Sequence, residues 1–126
     1  MALPRHPLHI AALASPPESE RLETLLSSTP HQLRCFPDYG RLAAYLGTAT
    51  GVQVVFLDID AQLSQDQVLE LAFKHPEATL FCLSSRKAHP EFKKAMQEAI
   101  FACLTKPLSK EELHFFLNSI QRPENM

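Results

Sequence analysis

The sequence predicts a doubly wound α/β sandwich, a parallel sheet of five strands in the order 2-1-3-4-5 with helices on both faces. Two observations carry this expectation. Five short apolar runs alternate with five stretches of helical period, and strands that alternate with helices pair in parallel through right-handed crossovers. The third and fourth runs, "VQVVFLDI" and "ATLFCLS", are almost continuously apolar, as central strands covered on both faces must be. At 126 residues the chain fits a single domain, 1–126, with its core over about 8–120, large enough to bury that core without metal or disulfide support.

Each element has its own signal. The first run, "LHIAAL", precedes Leu22, Leu25 and Leu26, which recur at helical spacing. The second, "HQLRCF", alternates apolar and polar residues and suits an edge strand. Tyr39, Leu42, Ala43 and Leu46 follow it on one helical face. After the third run come Val68, Leu71 and Ala72, and after the fourth a stripe of Phe92, Ala95, Met96, Ala99 and Ile100. The fifth run, "FACLTK", leads into Leu113, Phe116, Leu117 and Ile120. Capping boxes are predicted at Ser15–Glu18, Ser64–Gln67 and Ser109–Glu112, and Pro90 suits a first helical position.

Composition narrows the function classes. Twelve basic and fourteen acidic residues give a net charge of -2, which argues against direct nucleic-acid binding. No apolar run approaches the roughly 20 residues that span a bilayer. Pro4 and Pro7 interrupt the short apolar N-terminus, so that stretch reads as a strand rather than a signal peptide, and the domain as cytoplasmic. Cys35, Cys82 and Cys103 are far apart, without CxxC spacing, and each lies in an apolar run. They are expected to be reduced core thiols. His6 and His9 flank an extended proline segment and make a poor metal site.

In a sheet of this order, the flavodoxin-like one, ligands bind beyond the C-terminal strand ends near the switch between strands 1 and 3. Asp58 ends the third strand there. Ser84, with Ser85 behind it, ends the fourth, and Lys106 followed by Pro107 ends the fifth. A carboxylate, a hydroxyl and an ammonium that converge make a phosphoryl site. Aspartate can form an acyl phosphate, the hydroxyl can hydrogen-bond a phosphoryl oxygen, and lysine can neutralise its charge. Pro107 can fix Lys106, a cis peptide being accessible before proline. Taken singly, the same residues serve equally as a loop cap, a backbone partner and a solvated lysine.

"VVFLDI", "LFCLSS" and "EAIFACLTKPLSKEEL" together resemble the receiver domains of two-component response regulators, over Leu8 to Ile120. The resemblance implies that Asp58 is the phosphoacceptor, that Ser84 and Lys106 bind the phosphoryl group and switch, and that Pro107 is structural. It also implies Mg2+ as cofactor, a histidine kinase or phosphotransfer protein as donor, and a helix 4/strand 5 face as output toward a neighbouring domain, a partner protein or a second copy in a homodimer. The chain departs from that pattern at three places. The acidic pair that holds Mg2+ after the first strand is Ala14 and Ser15 here, which leaves only Asp58 and, as a stand-in, Asp60. The usual turn after the phosphorylated aspartate is replaced by "DAQLSQDQV". Cys103 stands where the family carries its switch aromatic.

Three functions follow. The first is a phosphorylatable receiver, and the second a receiver-like interaction or dimerisation module that does not use phosphorylation; both are non-enzymatic. The third rests on "FLDID", which is similar to the motif of haloacid-dehalogenase-type phosphatases, with Asp58 as nucleophile and Asp60 as general acid. The end of the chain, "QRPENM", reads as a polar tail or linker.

Overall fold

Strands β1 (His9–Leu13), β2 (Gln32–Phe36), β3 (Val54–Asp58), β4 (Thr79–Ser84) and β5 (Ile100–Thr105) form one parallel sheet in the order β2-β1-β3-β4-β5. Helices α1 (Pro16–Leu26), α2 (Tyr39–Thr48), α3 (Gln65–Lys74), α4 (Lys93–Glu98) and α5 (Lys110–Ile120) connect and cover them. This is the predicted flavodoxin-like topology. The computed structural model describes residues 7–86 and 89–120. Residues 1–6, with Pro4 and His6 in them, and the polar tail 121–126 lie outside the described residues, and so do the expectations that rest on them.

The sheet has two cores because alternate strand residues point to opposite faces. Val54 and Phe56 of β3 pack with Phe81 and Leu83 of β4 against Leu22 and Leu26 of α1 and Leu113 and Leu117 of α5. Val55 and Leu57 pack with Leu80 and Cys82 against Leu42 and Leu46 of α2, Val68 and Leu71 of α3, and Ala95 of α4. All five residues of β3 are buried, Asp58 included, whereas β2 is half exposed at the sheet edge. Phe56 and Phe81 stack at 5.4 Å between ring centroids in the α1/α5 core. Truncating either to alanine costs about 3–5 kcal/mol.

Local capping fixes where several helices begin. Ser64 and Gln67 make the full reciprocal box at α3, with Gln67 N–H donating to Ser64 Oγ at 3.2 Å and Ser64 N–H to Gln67 Oε1 at 2.9 Å. Ser109 Oγ accepts from Glu112 N–H at 3.1 Å, and Asp38 caps α2 by accepting from Arg41 N–H at 2.8 Å. The box predicted at Ser15 is not made. Ser15 stands at the N-cap of α1, but its side chain accepts no cap hydrogen bond, because Pro17 removes one of the two N–H groups an N-cap side chain can reach. Glu18 Oε1 is buried without a hydrogen-bond partner among the described residues.

Two further expectations are corrected. The stripe that was read as one helix through Ile100 divides into a short 3-10 turn (Pro90–Phe92), the six-residue α4, and the first residue of β5. Ile100 pairs with Leu80, and ladder pairing of an apolar β-branched residue outcompetes one more helical turn. The cysteines do not all remain thiols. Cys82 and Cys103 face each other on β4 and β5, with Cα atoms 4.5 Å apart, and are joined by a disulfide. Cys35 is a free, partly buried thiol whose pKa is pushed up to about 11 by burial and then by Glu23, so it behaves as the inert core residue expected. Among the described residues no helix is long and apolar enough to cross a membrane.

Candidate functional site at the C-terminal edge of the sheet

The register of the central strands brings the expected residues to one place. Asp58 pairs with Leu83, Ser84 pairs with Thr105, and Lys106 N–H donates to the Ser84 carbonyl at 2.9 Å just past the end of β5. The Lys106–Pro107 peptide is cis. The following loop is tied to α1, since the Arg21 guanidinium donates to the Leu108 carbonyl from Nε at 3.3 Å and from Nη2 at 3.0 Å. Leu108 itself is fully buried in the α1/α5 core. The lysine is therefore presented from an anchored loop.

Lys106 Nζ donates to Asp58 Oδ1 at 2.8 Å and lies 3.3 Å from Asp60 Oδ2. Burial works against the lysine's charge, but the hydrogen bonds and fields of Asp58 and Asp60 outweigh it and hold the ammonium above its ordinary pKa. Asp58 Oδ1 also accepts from Asp60 N–H at 3.0 Å. Its side chain is 2 % exposed, so its charge is compensated within the protein and not by water.

Asp60 sits beyond β3, where Ala61 N–H donates to the Asp58 carbonyl at 3.2 Å and turns the chain back over the strand ends. That turn aims its carboxylate at the end of β4. Ser84 Oγ donates to Asp60 Oδ1 at 3.0 Å, Ser85 N–H to Oδ2 at 2.7 Å, and Ser85 Oγ to Oδ2 at 2.9 Å. Arg86 Nε lies 3.5 Å from Oδ1. Burial alone would raise the carboxyl pKa. The donors from Ser85, Ser84 and Lys106 overcome it and set the group well below the usual carboxylate range. Arg86 is held in turn by Glu91, Nη2 to Oε2 at 2.6 Å, while its N–H donates to Ser84 Oγ at 3.0 Å. A cleft of about 480 Å³ opens beside this group, lined by Ile59, Asp60, Ala61, Leu63, Ser85, Arg86, Glu91 and Phe92.

The structure thus brings Asp58, Ser84 and Lys106 together, as their strand-end positions predict, with one difference. Ser84 bonds Asp60, and Lys106 divides its charge between two carboxylates. Strand-end position alone does not single out Ser85 and Arg86 as partners, although "SSR", starting at the last residue of β4, is the available signal. At the end of β1, Ala14 is buried and offers no oxygen ligand from its side chain. Among the described residues no group of three His, Cys, Asp or Glu side chains is placed to hold a metal ion.

No family model matches the sequence, and no curated protein matches it at a significant level. Solved structures do match. The signal receiver domain of an HD domain-containing protein from Pseudomonas fluorescens Pf-5 superposes with a TM-score of 0.78 at 23% identity, over 92% of this chain and 94% of that one. A response regulator from Thermotoga maritima gives 0.80 at 12% identity over 91% and 98%. A chemotaxis response regulator of Vibrio cholerae gives 0.78 at 13% identity over 91% and 99%. The fold of this chain is that of the receiver domains of response regulators.

Proposed function

We propose that the chain is a receiver-type signalling module that works through protein contacts and does not depend on phosphoryl transfer to Asp58. One observation carries the reading: Lys106 is shared between Asp58 and Asp60 in an ion network, while Ala14 and Ser15 stand where a receiver needs the carboxylates for Mg2+. A hard divalent cation of this size demands nearly octahedral oxygen coordination. Asp58 Oδ1 is already shared by Lys106 and the Asp60 N–H, and both Asp60 oxygens are taken by donors. These residues do not fit Mg2+.

The contact surface in this proposal is the edge of the sheet at β5 and α5. Phe101 and Phe115 are 58% and 64% exposed. Phe101 lies edge-on to Phe81 and to Phe116, and Phe116 edge-on to Phe115, so the exposed rings continue the core outward as one aromatic patch. Large exposed apolar groups in a cluster mark interaction surfaces. A neighbouring output domain, a partner protein or a second copy of the chain would cover it. Catalytic turnover has no place in the proposal. Asp60, held ionised by its donors, has no proton to give as the general acid of a phosphatase.

The convergence of Asp58 and Lys106 at 2.8 Å favours a second reading, a phosphoacceptor served by a histidine kinase or phosphotransfer protein. Incubation with Mg2+ and a small-molecule phosphodonor, followed by intact mass, separates the two. The proposal expects no adduct. A base-labile adduct on the native chain that disappears in Asp58→Asn would replace it with the second reading.

A further inference from the structure

We propose that Ser84, Ser85, Lys106 and Arg86 form an oxyanion site that the chain keeps filled with its own Asp60 carboxylate. The donor set is that of a site for a tetrahedral oxyanion of the phosphate class: two hydroxyls, a backbone N–H, an ammonium and a guanidinium, on the last residue of β4, the two that follow it, and one past β5. Such donors hold a free anion well because they are both charged and fixed in direction. Here each Asp60 oxygen takes part. Oδ1 accepts from Ser84 Oγ at 3.0 Å and faces Arg86 Nε at 3.5 Å. Oδ2 accepts from Ser85 N–H at 2.7 Å and Ser85 Oγ at 2.9 Å and faces Lys106 Nζ at 3.3 Å.

A solvated loop aspartate has no need of this many partners. Asp60 belongs to a turn between β3 and α3, yet its side chain reaches across to the residues that end β4 and follow β5. It is 21% exposed, on the wall of the 480 Å³ cleft, so the site it fills is open to solvent on one side and of a size to admit an anion when the carboxylate leaves. The filled site also accounts for the state of the segment after β4. Ser84, Ser85 and Arg86 all direct donors at Asp60, and a bound anion would engage the same donors. The carboxylate is tethered by the chain, so it competes with a free anion at a high effective concentration. The segment is thereby held in its anion-bound arrangement with no signal required. This consequence rests on the reading of the module as independent of phosphorylation. The occupancy itself does not, because it concerns a non-covalent anion and not Asp58.

Titration with inorganic phosphate, followed through the amide resonances of Ser84, Ser85 and Arg86, tests the proposal. The native chain is expected to show no saturable shift into the millimolar range. Asp60→Ala is expected to bind phosphate, with an affinity higher by about tenfold or more, since removing a plug that occupies most of the population restores that fraction of binding-competent site. Asp60→Asn keeps the shape and loses the charge, and should bind more weakly than Asp60→Ala but measurably. Lys106→Met added to Asp60→Asn should abolish the binding. Native protein that binds phosphate as tightly as Asp60→Ala would overturn the proposal. So would Asp60→Asn that is folded and as unresponsive as the native chain, and this second variant decides the matter should Asp60→Ala fail to fold. A phosphoryl adduct on Asp58 of the native chain would instead count against the proposed function, so the two failures are separable.

Discussion

Lys106→Met is the perturbation that most directly weighs the ion network. The lysine is 14% exposed and bridges an Asp58 side chain that is 2% exposed and an Asp60 side chain that is 21% exposed. Methionine keeps the aliphatic stem and removes only the charge and its hydrogen bonds. Asp60 retains the Ser84 and Ser85 donors, so most of the cost falls on Asp58, whose remaining side-chain donor among the described residues is the Asp60 N–H. Removing one partner of a buried pair costs about 3–5 kcal/mol, and the donors left on Asp60 place the expectation near the lower end, at about 3 kcal/mol. Against a total stability on the order of 5–15 kcal/mol that is a large fraction. In urea at neutral pH, with a slope of about 1–3 kcal/mol/M, the midpoint should fall by roughly 1–3 M with the slope unchanged. The cycle with Asp58→Asn isolates the pair. Once Asp58 is neutral, Lys106→Met should cost less by about 1–3 kcal/mol. A loss below about 1 kcal/mol for Lys106→Met, or strict additivity in the cycle, would refute the claim that a buried pair organises this edge.

The folded pKa of Asp60 is depressed, so its contribution to stability is complete above the unfolded value of about 3.9 and is lost as pH falls from there toward the folded value. Denaturant stability measured between about pH 4 and pH 2 should therefore drop more steeply in the native chain than in Asp60→Asn, by at most about 1.4 kcal/mol per pH unit. Equal slopes would mean that the carboxylate gains nothing from its donors. Reduction of the Cys82–Cys103 bridge, which spans a sequence separation of 21 residues, should add two hydrogens to the intact mass. It should also lower the melting temperature by about 10 °C, from a loss of about 3 kcal/mol; an unchanged melt would show that the pairing of β4 with β5 does not draw on the bridge.

The sheet was legible in the sequence because burial writes its own period. The unbroken apolar runs of β3 and β4 named the central strands, the alternation in "HQLRCF" named the edge, and leucines at helical spacing named the covering faces. Asp58, Ser84 and Lys106 were legible for a related reason. Asp58 and Ser84 are each the first polar residue after an apolar run and Lys106 is the second, behind Thr105, and in a parallel sheet those positions share an edge. What lay beyond the strand ends was not legible. Whether Asp60 turns toward metal, solvent or the end of β4 depends on the turn that the Ala61 N–H to Asp58 carbonyl bond closes, and no periodicity describes a turn. Ser15 fits a capping pattern by residue type, but the chemistry of Pro17 defeats it. The short α4 was hidden because Ala99 and Ile100 continue a helical stripe in sequence while Ile100 is claimed by the ladder.

The cysteine pairing was hidden by a single irregularity, and that irregularity links the site to the exposed face. Leu80 pairs with Ile100 but Phe81 pairs with Ala102, so β5 carries one extra residue, Phe101, relative to β4. Without this bulge Cys82 would face Ala102 and the two cysteines would fall out of register. With it, Cys82 faces Cys103, Ser84 faces Thr105, and Lys106 follows directly at the edge where Asp58 waits. The same extra residue is the one left without a ladder partner, and its ring stands exposed against Phe81 and Phe116. A bulge re-aims side chains because two residues on one strand oppose one on the other. Here it sets the reach of the lysine and the presentation of the aromatic patch by one displacement. A change in the β4–β5 register would therefore move the ion network and the contact surface together, and that shared register is a mechanical route by which events at either could be felt at the other.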